Sequence, residues 1–79
     1  MTEWQLGDRV RISESFSWGS GAVATIALHP FSRSVFREVE GRVGMIRMYW
    51  LVFDEPQIDA EGDGPYIEAE IAAEYLDAP

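Results

Sequence analysis

The residues best suited to chemistry in this 79-residue chain are acids that follow its most apolar segment. Asp59, Glu61 and Asp63 alternate, Gly64 comes directly after them, and Glu70 lies further along. These positions match the calcium-loop pattern D-x-[DN]-x-[DN]-G-x5-E, except that glutamate stands at its third position. Alternating carboxylates are the hard oxygen donors that calcium prefers. The spacing therefore predicts a candidate metal site made by Asp59, Glu61, Asp63 and Glu70.

Two other interpretations of this loop stay open. The preceding run MYWLVF is typical of a strand and not of the helix that enters a calcium loop, and a glutamate is long for the third position. Asp and Gly also favour tight turns, and the charges keep a loop solvated. In the third interpretation, which we favour, the loop presents Asp54, Glu55, Asp59, Glu61 and Asp63 to a basic partner.

Catalytic residues are harder to find. His29 is the sole histidine and precedes Pro30, and no serine has a recognisable catalytic partner. The chain has no cysteine, which excludes a thiolate nucleophile, thiolate metal ligands and disulfides. Paired carboxylates can act as general acid and base, but a solvated loop does not separate their pKa values. The sequence predicts no enzyme activity and no cofactor.

Charge is distributed unevenly along the chain. Residues 1–50 hold all six arginines and five acids, whereas residues 51–79 hold nine acids and no base, which gives a net charge of −8. Such a surface repels phosphate backbones, so direct nucleic-acid binding is disfavoured. The N-terminal sequence MTEWQLGDRV lacks the pattern of a signal peptide, and no apolar run is long enough to span a bilayer. We expect a cytoplasmic protein without membrane contact.

Two aromatic residues stand out in the polar segment SESFSWGSG. Phe16 and Trp18 lie in a stretch rich in Gly and Ser, where a core position is difficult to arrange. Buried aromatic side chains supply much of the affinity at protein interfaces. We therefore expect Phe16 and Trp18 to contact a partner; the alternative is a loop that folds back over the core.

Short strands dominate the predicted secondary structure. GDRVRI alternates polar and apolar residues, AVATIAL is rich in β-branched residues, and MIRMYWLVF is apolar on both faces, as in a central strand. The segment 31–41 fits a short helix or helical turn, because Phe31, Val35, Phe36 and Val39 share one helical face. Val35, Arg37 and Val39 also alternate between apolar and polar, as in a strand. The tail fits either one helix or a strand, a helical turn and a strand.

These elements predict one all-β domain over residues 1–79. We expect a five-stranded antiparallel barrel with long loops at residues 13–21 and 29–44 and a short helical turn near the C-terminus. The predicted core consists of the following residues: Leu6, Val10, Ile12, Val23, Ile26, Trp50, Val52, Ile71 and Leu76.

The order of these segments resembles the small SH3-like barrels. Four segments carry the resemblance: GDRVRI at residues 7–12, residues 21–26, YWLVFD at residues 49–54, and residues 70–79. More narrowly, the chain is similar to the electron-transport accessory group. That group includes the C-terminal domain of the nitrile hydratase β subunit, the variable chain of ferredoxin–thioredoxin reductase and a small photosystem I subunit. The resemblance favours the strand–turn–strand form of the tail.

The resemblance also implies a function. Members of this group are mostly non-catalytic subunits or domains that dock on a catalytic partner. We therefore expect an accessory or adaptor module whose partner is a protein with a basic surface, such as a catalytic subunit of a metalloenzyme or redox complex. The alternatives are an acidic inhibitor of the DNA-mimic or immunity type, and a calcium-binding module that uses residues 59–70.

Overall fold

The fold is nearly all-β. A computed structural model describes residues 3–79. The elements, in chain order, are β1 (Arg9–Ile12), β2 (Val23–Ala27), β3 (Phe36–Gly41), β4 (Gly44–Gln57), β5 (Tyr66–Ala72), a 3-10 turn (Ala73–Tyr75) and β6 (Leu76–Asp77). The tail is thus a strand, a turn and a strand. No helix among residues 3–79 is long and apolar enough to cross a membrane.

All strands pair in an antiparallel manner in one sheet, and β4 is its centre. The order is β3-β4-β2-β1-β6, and β5 pairs with the other edge of β4. The first half of β4 pairs with β3, and the residues that follow pair with β2, so β4 connects these two strands. Within residues 3–79 the sheet has six strands, not the predicted five, and it is not closed, because β5 and β6 do not pair.

The additional strand is β3, and the helix predicted within residues 31–41 is wrong. Residues 36–41 pair with residues 44–49 through a tight turn at Arg42 and Val43. Gly44 has φ +134°, which favours glycine, and a Cβ on Gly41 would lie 2.5 Å from Cδ1 of Ile46. The two glycines therefore permit a close hairpin. Residues 36–41 form a strand, as the alternation of apolar and polar residues indicates, and not the helix that the spacing of the apolar residues predicted. Of the predicted loop at residues 29–44, residues 29–35 and the turn at residues 42–43 remain outside the strands.

Most of the predicted core is confirmed, but one face of β4 was assigned wrongly. Leu6 is 62% exposed and Val52 is 41% exposed, so neither belongs to the core, and Val23 and Trp50 are partly buried. The buried residues of β4 are Tyr49, Leu51 and Phe53, and those of the other elements are Val10, Ile12, Ala24, Ile26, Ile71, Ala72 and Leu76.

The register of the sheet explains which face of β4 is buried. Leu51 lies opposite Ile26, and Phe53 lies opposite Ala24. Side chains that oppose each other across a ladder share one face, so the buried β2 residues draw alternate β4 residues into the same core. The hydroxyl of the buried Tyr49 accepts a hydrogen bond of 3.1 Å from the main-chain N–H of Trp4. That bond holds the chain before β1 against the core.

Candidate docking surface

The loop between β1 and β2 folds back against the core. Phe16 and Trp18 are partly buried there, and their ring centroids are 5.9 Å apart. Phe16 also packs against Tyr75 of the 3-10 turn at 4.8 Å. Both residues thus follow the alternative prediction, in which the loop folds back over the core. They remain partly exposed, so they combine a packing role with an accessible surface.

Trp18 joins this aromatic cluster to the acidic loop. Its ring lies 5.9 Å from Phe53 in an edge-on arrangement and 5.7 Å from Tyr66. The hydroxyl of Tyr66 donates a hydrogen bond of 3.1 Å to Oδ2 of Asp59. The two groups of residues predicted to bind a partner therefore form one continuous surface. We call Phe16, Trp18, Tyr66 and residues 54–63 the acid–aromatic surface.

Asp59 organises the acidic loop from within. Its Oδ1 accepts hydrogen bonds from the main-chain N–H groups of Glu61 (3.0 Å) and Asp63 (2.9 Å). Its own main-chain N–H donates to the carbonyl oxygen of Asp63 at 2.9 Å. The hydrogen bond from the Asp63 N–H is the main cause that lowers the pKa of the Asp59 carboxyl, against an opposing effect of burial. This is the tight turn that Asp and Gly favour.

Asp54 and Glu55, predicted in the loop, lie at the end of β4, and the connection between β4 and β5 is residues 58–65. The charges of these two acids and of Glu61 and Asp63 differ in how free they are. Glu55, Glu61 and Asp63 are exposed. Asp54 is bound by the guanidinium of Arg9, with an Nη1–Oδ1 distance of 2.7 Å and an Nη2–Oδ2 distance of 2.5 Å. The hydrogen bond from Arg9 lowers the pKa of the Asp54 carboxyl. The negative charge open to a partner is therefore carried by Glu55, Glu61 and Asp63.

The four residues of the predicted metal site are not gathered into a cage. Both carboxylate oxygens of Glu70 accept hydrogen bonds from Arg37, and Oδ1 of Asp59 is occupied by the loop's own N–H groups. Residues 3–79 contain no group of three or more His, Cys, Asp or Glu side chains placed to hold a metal ion. Calcium would have to compete with these bonds and reorganise the loop.

We accordingly expect calcium to bind weakly and without fixed stoichiometry. Exposed carboxylates attract divalent cations through their field, and that attraction is screened over about 8 Å at physiological ionic strength. Titration calorimetry with calcium at low and at moderate salt checks this. A 1:1 dissociation constant at or below about 10⁻⁵ M, abolished by Asp63→Asn, would instead establish a calcium loop.

Sequence reasoning missed a polar cluster around the buried His29, on the face of the sheet opposite to Leu51. The His29 side chain is fully buried, and its Nε2 binds Oε2 of Glu70 on β5. Arg37 on β3 donates to the same carboxylate from Nε (2.6 Å) and Nη2 (3.0 Å). The ring of Trp50 lies 5.3 Å from the His29 ring. No local pattern brings together residues so distant in sequence, although a histidine at the end of an apolar strand is a weak signal.

The hydrogen bonds of His29 define its role. Its Nδ1 accepts a hydrogen bond of 3.1 Å from the main-chain N–H of Phe31, so the ring proton is on Nε2 and is donated to Glu70. Both ring nitrogens are therefore engaged. The carboxylate of Glu70 is shared between His29 and Arg37, and these bonds join the loop after β2 to β3 and β5. The cluster is suited to fixing the fold rather than to transferring a proton to a substrate.

The surface of residues 3–79 includes two recesses of similar volume. One, of about 420 Å³, adjoins the acid–aromatic surface and is lined by residues 21–23 together with Asp54, Glu55 and Gln57. The other, of about 450 Å³, is mostly apolar; its lining includes Trp4, Met45 and Leu76, with Arg47 and Glu74 also present. The acid-lined recess offers a partner's basic side chain a place directly beside Trp18's loop.

Fold and surface together define a small antiparallel β protein whose distinguishing feature is a continuous acid–aromatic surface. Comparison of the chain with protein-family models, with curated protein sequences and with solved structures returned no match.

Proposed function

We propose that this chain is a non-catalytic docking module that binds a protein partner through the acid–aromatic surface. The observation that carries the proposal is the contact of Trp18 with Tyr66, whose hydroxyl is bound to Asp59. Partly buried aromatic rings provide affinity, and one-signed charge around them provides steering and selectivity. The partner that fits presents a basic surface with an apolar centre.

The proposal includes an SH3-like architecture and an accessory role of the electron-transport type. Three features support the architecture: the strand order, the long β4 that pairs with β3 and β2 along one edge, and the 3-10 turn between β5 and β6. The accessory role rests on the sequence resemblance, and a cytoplasmic location is part of the same proposal. A shared fold by itself is weak support for function.

An acidic inhibitor that imitates DNA is the competing function. Such a protein needs many free charges on a rigid face, but Arg9 neutralises Asp54 and Arg37 neutralises Glu70. Three of the free acids, Glu55, Glu61 and Asp63, lie close together in the chain beside aromatic rings. This arrangement favours a protein partner with an apolar contact over a groove that binds a phosphate backbone.

The test is affinity for a partner captured from the source cell. We expect Trp18→Ala to weaken binding at least about tenfold, the loss typical of an aromatic anchor. Glu61→Gln with Asp63→Asn should slow association and reduce its salt dependence, because both side chains are exposed and act at a distance. Surface plasmon resonance at two salt concentrations measures both effects.

Phe31→Ala is the matched control, because Phe31 is 77% exposed and lies outside the acid–aromatic surface. Unchanged affinity in Trp18→Ala and in the double charge variant, with each variant folded by its thermal transition, would refute the proposed surface. Capture only of nucleic-acid-binding proteins, released by added DNA, would favour the inhibitor. Turnover of a substrate by the isolated chain would overturn the non-catalytic role.

A further inference from the structure

Among residues 3–79, β3 pairs only with β4, so its outer edge has no partner strand there. Gly41 and Gly44 close the hairpin around a tight turn, and such a closing pair is hydrogen-bonded. Successive residues of a strand direct their main-chain groups to opposite edges. The main-chain groups of residues 37, 39 and 41 therefore point towards β4, and those of residues 36, 38 and 40 point away from it.

Two hydrogen bonds agree with this assignment. The main-chain N–H of Trp50 donates to the carbonyl oxygen of Val35 at 3.0 Å, which continues the same alternation beyond β3. The carbonyl oxygen of Phe36, which points away from β4, accepts a hydrogen bond of 2.9 Å from the Ser32 hydroxyl. Ser32 thus covers the start of the edge. The part that stays open consists of the main-chain N–H and C=O groups of Glu38 and Glu40, which we call the β3 edge.

The side chains of the β3 edge oppose self-association. When two copies pair antiparallel along this edge, outward-pointing residues face each other. The residue numbers of each opposing pair then add up to the same even number. The four registers centred on residues 37, 38, 39 and 40 bring like charges together: Arg37 opposite Arg37, Glu38 opposite itself, Glu38 opposite Glu40, and Glu40 opposite itself. Like charges directly opposite each other destabilise a ladder. A second copy of this chain is therefore a poor occupant.

We propose that the β3 edge accepts an extended segment of a partner protein that carries Lys or Arg at alternate positions. Such a segment adds a strand antiparallel to β3, exchanges hydrogen bonds with Glu38 and Glu40, and places a cation opposite each of their carboxylates. Glu38 and Glu40 are both exposed. A carboxylate oxygen of Glu38 lies 3.6 Å from Nη2 of Arg47 on β4, whereas Glu40 forms no salt bridge within residues 3–79. This surface is separate from the acid–aromatic surface, because β3 pairs with the first half of β4 and the acidic loop follows its second half.

The probe is the blocked peptide Thr-Lys-Val-Lys-Val-Thr, and the control peptide has Glu in place of each Lys. We expect the Lys peptide to shift the NMR signals of the Glu38 and Glu40 amides and to slow their exchange with solvent. The Glu peptide should do neither. The double variant Glu38→Lys with Glu40→Lys should reverse the preference between the two peptides.

A second variant tests the main chain itself. Glu38→Pro removes the outward N–H without removing a bond to β4, and proline is tolerated on edge strands. We expect it to weaken binding of the Lys peptide about tenfold, since the added strand loses a central hydrogen bond. The charge-reversed variant keeps the inference testable if Glu38→Pro does not fold.

Three results would overturn the inference. The first is that the Lys peptide shifts only the NMR signals of Trp18 and residues 54–63. The second is equal affinity of both peptides for the charge-reversed variant. The third is that the Glu38 and Glu40 amide signals shift with protein concentration in the absence of peptide. The first result would leave the proposed function intact, because it would place the basic segment on the acid–aromatic surface. Loss of partner binding in Trp18→Ala with an intact β3 edge response would leave this inference intact.

Discussion

Replacing Leu51 with alanine is expected to destabilise the protein by about 2–5 kcal/mol, whereas Val52→Ala should cost less than about 1 kcal/mol. The two residues are neighbours on β4 but lie on opposite faces of the sheet. Leu51 is fully buried and opposes Ile26, whereas Val52 is 41% exposed and opposes Thr25. Truncation at position 51 removes apolar contacts and leaves a cavity; truncation at position 52 removes surface that water already reaches.

Urea unfolding followed by Trp fluorescence measures the free energy of unfolding of both variants. Because the two positions are neighbours on one strand, the comparison depends mainly on the face on which each side chain lies. A small domain has a narrow margin of stability, and Leu51→Ala is expected to bring it close to unfolding at ordinary temperature. Ile26→Ala, in which the opposing side chain is shortened, should show a comparable loss. Equal destabilisation by Leu51→Ala and Val52→Ala would mean that the buried face of β4 has been assigned wrongly.

The sequence alone could not choose between these faces. MIRMYWLVF is apolar at nearly every position, so alternation reveals a strand and leaves its orientation open. The choice is made by the register with β2, where Ala24 and Ile26 are buried and Thr25 is not. β1 was predictable because its alternation is unambiguous: Val10 and Ile12 are buried, and Arg9 and Arg11 are exposed.

β3 was missed for a different physical reason. Its turn, Arg42-Val43, lacks the Asn-Gly or Asp-Gly pair that marks a two-residue hairpin in a sequence. The apolar residues before it happen to fall three and four positions apart, which imitates a helical face. Pairing with β4 outweighs that spacing, because the hairpin satisfies main-chain groups that a short isolated helix would leave exposed.

The parts of the docking surface were predictable, but the way they join was not. Phe16, Trp18 and the acids could be singled out by residue type and by their place in loops. Their continuity depends on Tyr66, which lies far from Trp18 in sequence and starts β5. Glu70 shows the same limit, because its spacing suits a calcium loop while its carboxylate binds Arg37 and His29. Contacts between distant residues decide both cases.

Glu70→Ala is expected to destabilise the protein by about 1–3 kcal/mol, the cost of leaving a buried polar group without its partner. The His29 side chain is fully buried, and removal of the carboxylate takes away the protein acceptor of the hydrogen bond from its Nε2. Glu68→Ala is the matched control, because Glu68 is exposed on the same strand and accepts a bond of 2.7 Å from the partly buried Trp50. It should cost less than about 1 kcal/mol.

The dependence of this effect on pH gives a sharper test. The hydrogen bond from Arg37 is the main cause that lowers the pKa of Glu70 below its ordinary value of 4.5, with His29 acting in the same direction and burial opposing both. A depressed pKa in the folded state contributes stability above the unfolded pKa and loses it as pH falls through the folded pKa. The difference in unfolding free energy between wild type and Glu70→Ala should therefore be larger at neutral pH and shrink as the pH falls below about 4.5. Urea unfolding at a series of pH values measures it, and a difference that stays constant into acid would show that the Glu70 charge does not stabilise this cluster.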